Sequence, residues 1–432
     1  MQSVVVVGAS LAGLRAIEEL RDAGYGGTIV AIGDEPRLPY DRPPLSKQVL
    51  AGEWDEDRTP LTVAVEGGLD GLEVNWRLGT RATGLDLWNR LVATDDGERL
   101  HFKGLVIATG ARPRTLGNLR TRGGGRGRGS GSGEDGEGPA LPGVHTLRTI
   151  DDCMAIRAGL DANPRRVVVV GAGFIGAEVA ATCRARGLDV TLIEALPVPL
   201  ERAVGRQMGV LMAEIHRDHG VDLRFGVGVK RFEGAGRVER VVLDDGSVVD
   251  ADLVVVGVGV TPNTEWLNGS RLRVEDGVVC DENLMAAPGV VAAGDVARWP
   301  SARYGASVRV EHWENAVTMG AHAARSLLTY GTGRSGDGVP MLAEGEPPEP
   351  FDPVPWFWSD QYDRKIQLAG LVGDADEVAV VDGSLADRRF VAIYRNEDRI
   401  VGVLTMNRPR QMVTYRRLVE NRASWEEALA QP

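Results

Sequence analysis

Val4-Val5-Val6-Val7-Gly8-Ala9-Ser10-Leu11-Ala12-Gly13 and Val167-Val168-Val169-Val170-Gly171-Ala172-Gly173-Phe174-Ile175-Gly176 are two versions of one device. Each run of valines reads as a buried parallel strand, since β-branched side chains suit a strand covered on both faces. The glycines allow a sharp turn into a helix. Its N-terminus, with free N–H groups and a positive dipole end, accepts a pyrophosphate. One such turn is a modest signal. Two in one chain imply two dinucleotides, the layout of a protein that passes electrons from a nicotinamide to a flavin.

The surroundings repeat as well. Strand Ser3–Val7, helix Leu11–Ala23 and strand Thr28–Ile32 form a first βαβ unit; Arg166–Val170, Ile175–Arg186 and Asp189–Ile193 form a second. Return strands are expected at Gly104–Ala111 and Leu253–Gly259. A further apolar segment, Gly289–Asp295, precedes a helix at Asn315–Leu328, so the first domain should be interrupted by the second and completed after it. Alternating runs at Arg389–Tyr394 and Ile400–Met406 read as antiparallel strands before a final helix. The expected fold is α/β, with two Rossmann-like dinucleotide-binding domains plus a C-terminal α+β domain carrying an antiparallel sheet. Residues 1–115 and 263–330 are assigned to the first domain, 141–262 to the second and 354–432 to the third. Residues 116–140, rich in Gly and Arg, and the linker 331–353 lack the apolar side chains needed to offset ordering, so they read as flexible.

The net charge of −12, from 49 basic and 61 acidic residues, argues against nucleic acid as the main partner. No apolar run reaches membrane-spanning length and Val4–Val7 is too short for a signal-peptide core, so a cytoplasmic protein with no membrane partner is expected. Cys153, Cys183 and Cys280 are scattered, with no CxxC or CxxxxC pair. That excludes a redox dithiol, and no Cys/His spacing suggests a metal. Any redox centre beyond a flavin must belong to a partner.

In the first turn Gly8, Ser10, Leu11, Ala12 and Gly13 are candidate FAD contacts. Ser10 stands where the middle glycine of the fingerprint belongs; it is small and brings a hydroxyl donor. Asp34, with Glu35 beside it, follows the second strand where a carboxylate can accept from a ribose; a solvated acidic turn is the alternative. Ala82, Ala108, Thr109, Gly110 and Arg114 complete the candidates of this part. The second turn is intact at Gly171, Gly173 and Gly176, with Phe174, Ile175 and Gly259 as further NADH contacts. Glu194 closes the following strand. A carboxylate there accepts from both ribose hydroxyls and repels a 2′-phosphate, which favours NADH over NADPH.

Pro39-Tyr40-Asp41-Arg42-Pro43-Pro44-Leu45-Ser46-Lys47 makes the reading specific. Together with Ala108-Thr109-Gly110, Thr261-Pro262-Asn263, Ala293-Gly294-Asp295, Glu311-His312-Trp313 and Pro355-Trp356-Phe357-Trp358-Ser359-Asp360, it resembles the NADH-dependent ferredoxin reductases of bacterial oxygenase systems. Apoptosis-inducing factor is a relative of that family. The likeness covers the chain except for the Gly/Arg segment, and Ser10 is a departure. It implies FAD and NADH as cofactors and an iron–sulfur ferredoxin or rubredoxin as acceptor, feeding a monooxygenase or ring-hydroxylating dioxygenase. It also implies Arg42 and Lys47 as flavin contacts, with Lys47 near the reactive central-ring nitrogen and Glu178 as its ion-pair partner. Lys47 and Glu178 are thus the candidate catalytic pair. Asp295 would bind the ribityl chain, Glu311, His312 and Trp313 would precede a helix whose N-terminal end points at the flavin's pyrimidine edge, and Trp358 would lie close to the ring. A monomer or a homodimer is compatible with this.

Two other readings stay open. One is a flavin oxidase or small-molecule reductase of the same fold. The other is a redox-signalling protein that holds FAD and NADH.

Overall fold

The computed structural model describes residues 3–116, 141–330, 349–373 and 376–431. The Gly/Arg segment from residue 117 onward and most of the 331–353 linker lie outside them. Two compact units emerge, both discontinuous in sequence. The first takes Met1–Asp41, Thr59–Arg112 and Thr261–Phe357; the second takes Arg42–Arg58, Pro113–Val260 and Trp358–Pro432.

The chain opens with β1 (Ser3–Val7), α1 (Leu11–Asp22), β2 (Thr28–Gly33), β3 (Val74–Leu78) and β4 (Gly104–Ile107). There follow β5 (Val144–Thr146), α2 (Ile150–Asp161), β6 (Arg166–Val170), α3 (Phe174–Ala185) and β7 (Asp189–Glu194). Next are α4 (Glu201–Asp218), β8 (Asp222–Phe225) and β9 (Leu253–Val256), then β10 (Met285–Ala287), β11 (Val290–Ala292) and α5 (Trp313–Tyr330). The C-terminal part holds β12 (Trp356–Gln361), β13 (Arg364–Gly370), β14 (Glu377–Ser384), β15 (Arg389–Asn396) and β16 (Arg399–Met406). It ends in α6 (Pro409–Glu420) and α7 (Trp425–Leu429), two helices where one is expected from the sequence.

The sheet of the first unit runs β10-β11-β4-β1-β2-β3, with β10 the one antiparallel member. The late strands therefore do join the early ones. That of the second unit runs β8-β7-β6-β9-β5, all parallel. Both are covered on two faces, and the valines of β1 and β6 are accordingly almost wholly buried. The return strands stop at Ile107 and Val256, short of the expected ends, and the last rungs of their ladders are Ala108 N–H to the Val7 carbonyl and Gly257 N–H to the Val170 carbonyl. The third sheet is antiparallel, in the order β12-β13-β16-β15-β14. It is fixed to α4 within the second unit, where Tyr394 donates its hydroxyl proton to the Val204 carbonyl at 2.8 Å and Arg388 reaches Glu214 at 2.9 Å.

In the first unit α1 crosses α5 at close range. A β-carbon on Gly320 would stand 2.4 Å from the Ala12 carbonyl oxygen, so only glycine permits the approach. Because α1 is the helix of the first glycine turn, its seat on α5 sets the direction of that turn. Gly320→Val should destabilise the fold by about 2 kcal/mol or more through forced separation of backbones. Urea denaturation checks this; an unchanged midpoint would mean that the helices separate at no cost.

Candidate active site

The two glycine turns are built alike. Gly8 has φ of 122°, and a β-carbon there would lie 2.0 Å from the Ala108 oxygen; Gly171 has φ of 97° and the same conflict with Gly257 at 2.3 Å. Neither position accepts a side chain. In each turn the third glycine, Gly13 or Gly176, lets the helix sit on the first glycine's carbonyl. Space opens at the middle position: nothing lies within 4 Å of where Gly173 would carry a β-carbon.

The helices that follow are left without caps. Neither α1 nor α3 has a side-chain cap or an acid in its first turn, although the protein caps α2 with Thr149 and α7 with Ser424 through full capping boxes. The Ser10 hydroxyl, at the N-cap of α1, is not spent on its own helix. Uncapped N–H groups at a helix start are donors waiting for an anion. This fits a pyrophosphate at both turns, and Ser10 is no obstacle.

Around the first turn, Asp34 is mostly exposed and stands 3.8 Å from Arg81, while Glu35 accepts a 2.5 Å hydrogen bond from Tyr40. Thr80 N–H donates to the Gly33 carbonyl, which brings the chain leading to Ala82 beside the end of β2. Thr109 and Asn263 bond each other reciprocally, hydroxyl to carbonyl at 2.8 Å and amide to carbonyl at 2.9 Å. The Ala108–Gly110 and Thr261–Asn263 motifs are thus one structural feature, and Asn263, quoted in its motif but given no role from the sequence, is the residue that joins them. Asp295 sits in the turn Gly294–Val296, close enough to His312 to act on its charge. Trp313 donates its indole N–H to Asp41 at 2.6 Å, tying the start of α5 to the Pro39–Lys47 string. Glu311 is held by Arg309 at 2.7 Å. His312 Nδ1 is buried with no partner among the described residues. An orphaned polar atom in this motif fits a ring edge with its own donors and acceptors.

In the second unit Glu194 accepts from Ala172 N–H at 2.8 Å and from Leu196 N–H at 3.0 Å, one bond on each carboxylate oxygen. It is fixed against the glycine turn, where a ribose acceptor is needed. Arg114 is tied to the Gly259 strip: its N–H donates to Gly259 and its Nε to the Val260 carbonyl, both at 2.9 Å. Arg42 donates to the Arg148 carbonyl at 2.7 Å. Lys47 and Glu178 do meet: Nζ stands 2.6 Å from Oε2, with the two side chains 12% and 5% exposed. Two further donors converge on the carboxylate, Ser46 Oγ at 2.5 Å and Ser359 Oγ at 2.8 Å. Ser46 and Ser359 lie inside quoted motifs yet have no distinguishing residue chemistry. Trp358 alternates with Ser359 along β12, so it occupies the opposite, half-buried face of the strand.

The three cysteines are free and buried, and burial pushes the thiols up, Cys153 to about 11 and Cys183 and Cys280 to about 12. None is a nucleophile near neutral pH. Among the described residues there is no cluster able to hold a metal and no helix long and apolar enough to cross a membrane.

Comparison with known proteins places this geometry. Residues 2–320 match the pyridine nucleotide-disulphide oxidoreductase family and residues 356–432 match the reductase C-terminal family. Rhodocoxin reductase of Rhodococcus erythropolis is 36% identical, over 96% of this chain and 89% of that protein. Putidaredoxin reductase CamA of Pseudomonas putida is 33% identical over 99% and 94%. Among solved structures, the covalent putidaredoxin reductase–putidaredoxin complex aligns with a TM-score of 0.83 at 33% identity, covering 98% of this chain and 93% of that one. The ferredoxin reductase for the CYP199A2 system of Rhodopseudomonas palustris aligns at 0.85 and 33% identity, covering 98% and 96%.

Burial pushes the His312 and His322 imidazoles from the ordinary 6.5 down to about 4. Their charged forms are disfavoured in the folded state, so below about 6.5 the unfolded chain takes up protons that the folded one refuses. Stability is therefore full above that pH and falls as the pH drops from 6.5 towards 4. Urea midpoints measured across this range should decline, and less so in His312→Gln; equal slopes would show that His312 titrates freely.

Proposed function

The chain belongs to the pyridine nucleotide-disulphide oxidoreductases, in the branch of FAD- and NADH-dependent ferredoxin reductases, and from that premise we propose which of its residues do the work and for what partner. The observation that carries the reading is the pair of uncapped glycine turns, one in each parallel sheet. Bound FAD supplies a two-electron acceptor for hydride from NADH and a one-electron donor towards an iron–sulfur ferredoxin. Everything else is binding, orientation and electrostatics supplied by the chain.

The turn at Gly8–Gly13 holds the FAD pyrophosphate, with Ser10 adding its hydroxyl as a donor. Asp34 or Glu35 takes the adenosine ribose, and Asp295 the ribityl hydroxyls. His312, kept neutral by burial, offers Nδ1 as a hydrogen-bonding atom rather than as a charge. The turn at Gly171–Gly176 holds the NADH pyrophosphate and Glu194 its ribose. Lys47, fixed by Glu178, presents an immobile ammonium for the step in which negative charge builds on the acceptor. With no reactive thiol pair, any redox centre beyond the flavin belongs to a partner, and a ferredoxin of an oxygenase system is the acceptor we assign.

Reduction of an added oxygenase-system ferredoxin by NADH, well above the rate with oxygen alone, tests the activity. A protein that binds both nucleotides but passes electrons only to oxygen would remove the ferredoxin from this reading. Glu194→Ser combined with Ala195→Arg should shift preference towards NADPH, since a repelling carboxylate is replaced by a phosphate-binding cation. Lys47→Ala should slow flavin reduction more than it weakens FAD binding, because the cofactor is held along its whole length. Its effect and that of Glu178→Ala should be less than additive, since either change alone strands a buried charge. Stopped-flow reduction by NADH measures all three.

A further inference from the structure

Behind Glu178 a line of buried polar groups runs away from Lys47. Ser359 donates to Glu178 Oε1 at 2.8 Å, and Gln361 Nε2 donates to Ser359 Oγ at 3.1 Å. The Gln361 amide lies beside the imidazole of His216 on α4. Gln361 Oε1 and His216 Nε2 are both buried, and neither has a hydrogen-bond partner among the described residues. On its other side His216 Nδ1 stands 2.9 Å from the Tyr362 hydroxyl. Tyr362 is stacked on His219 with centroids 3.6 Å apart, and it takes a left-handed φ of 56° that glycine or asparagine would adopt more cheaply. Ser359 and Gln361 are fully buried and His216 is 1% exposed.

One arrangement of protons gives the two orphaned atoms to each other and satisfies the whole line. A carboxylate accepts and never donates, so the Ser359 proton points at Glu178. The Ser359 oxygen then accepts from the Gln361 NH2, which leaves the amide oxygen as the acceptor for the neighbouring His216. That oxygen needs a donor, so His216 carries its proton on Nε2, and its bare Nδ1 accepts from the Tyr362 hydroxyl. Every donor points towards Glu178. Such aligned dipoles reinforce one another and favour negative charge at the end of the line.

We propose that Ser359, Gln361 and His216 are positioning residues, a one-way donor chain that fixes the Glu178 carboxylate and, through it, the Lys47 ammonium. This rests on the reading of Lys47 and Glu178 as the working pair. The chain does not conduct protons, because an amide cannot pass one on without losing its own tautomer. The charged and titratable groups that bear on it are few. Lys47 faces Glu178, His219 faces His216, and Arg184 and Cys183 face Tyr362.

Nuclear magnetic resonance of the flavin-loaded protein with isotope-labelled histidine tests the chain without any substitution. His216 should show the neutral Nε2–H tautomer and no titration between about pH 6 and 8. An Nδ1–H ring reverses the line and overturns the proposal. Ser359→Ala and Gln361→Leu should each slow flavin reduction by about tenfold, the scale of one hydrogen bond to a charged group, with the KM for NADH unchanged. Both effects should vanish in a Glu178→Gln background. Additive losses there, or wild-type rates in Ser359→Ala, overturn the positioning role. A wild-type rate in Lys47→Ala overturns the functional reading of the pair instead, and leaves the tautomer to report on the chain itself.

Discussion

The carboxylate of Glu178 is the point that the second unit is organised around. A charge this deep is tolerated only when it is paired and hydrogen-bonded, and the groups that do so come from far apart in the chain. Lys47 and Ser46 arrive from the Arg42–Arg58 excursion, Ser359 from the strand that opens the C-terminal sheet, and Glu178 itself from the helix of the second glycine turn. One side chain thereby gathers three stretches of sequence into one body. Thr182, one turn along the same helix, adds a bond from its hydroxyl to the Ser46 carbonyl at 2.9 Å. The excursion is thus anchored to α3 both through the Glu178 carboxylate and through a neutral bond from Thr182.

The glycine turns meet a different constraint, that of backbone approaching backbone. Gly8 and Gly171 each stand against the carbonyl that ends the return strand, so the position is closed to any side chain before a ligand is considered. The same turn then diverges at its middle residue. Glycine leaves open space in the second unit, while serine places a hydroxyl in the first. The acids beyond the turns differ too. Glu194 is locked by two backbone N–H groups, whereas Asp34 is exposed beside Arg81. One architecture thus provides two turns with unlike surroundings, because the packing is carried by the glycines and the residues between and beyond them differ.

Much of this is legible in the chain because it is local. Valine runs, glycine spacing and an acid after the second strand are each settled within about thirty residues, by sterics and by alternation of buried faces. The strand Arg166–Val170 has the bounds read from the sequence, α1 ends one residue short of expectation, and α3 is displaced by one residue at both ends. Helix α5 starts two residues early, at Trp313, since the Asp41 carboxylate that holds that tryptophan is remote in sequence. The second C-terminal helix was missed because it is short and rests on a single Ser424 capping box.

Sequence alone determined the repeated glycine-turn architecture and the lack of a closely spaced cysteine pair, and the family resemblance implied the lysine and the glutamate that meet. What only the tertiary structure decided is what surrounds them. Ser46, Asn263, Ser359, Gln361 and His216 are ordinary residue types with no spacing that marks them, and each acquires its meaning from a partner brought close by the fold. The physical reason is that steric preferences act between neighbours in the chain, whereas the hydrogen bonds that satisfy a buried charge are recruited from wherever folding delivers a donor.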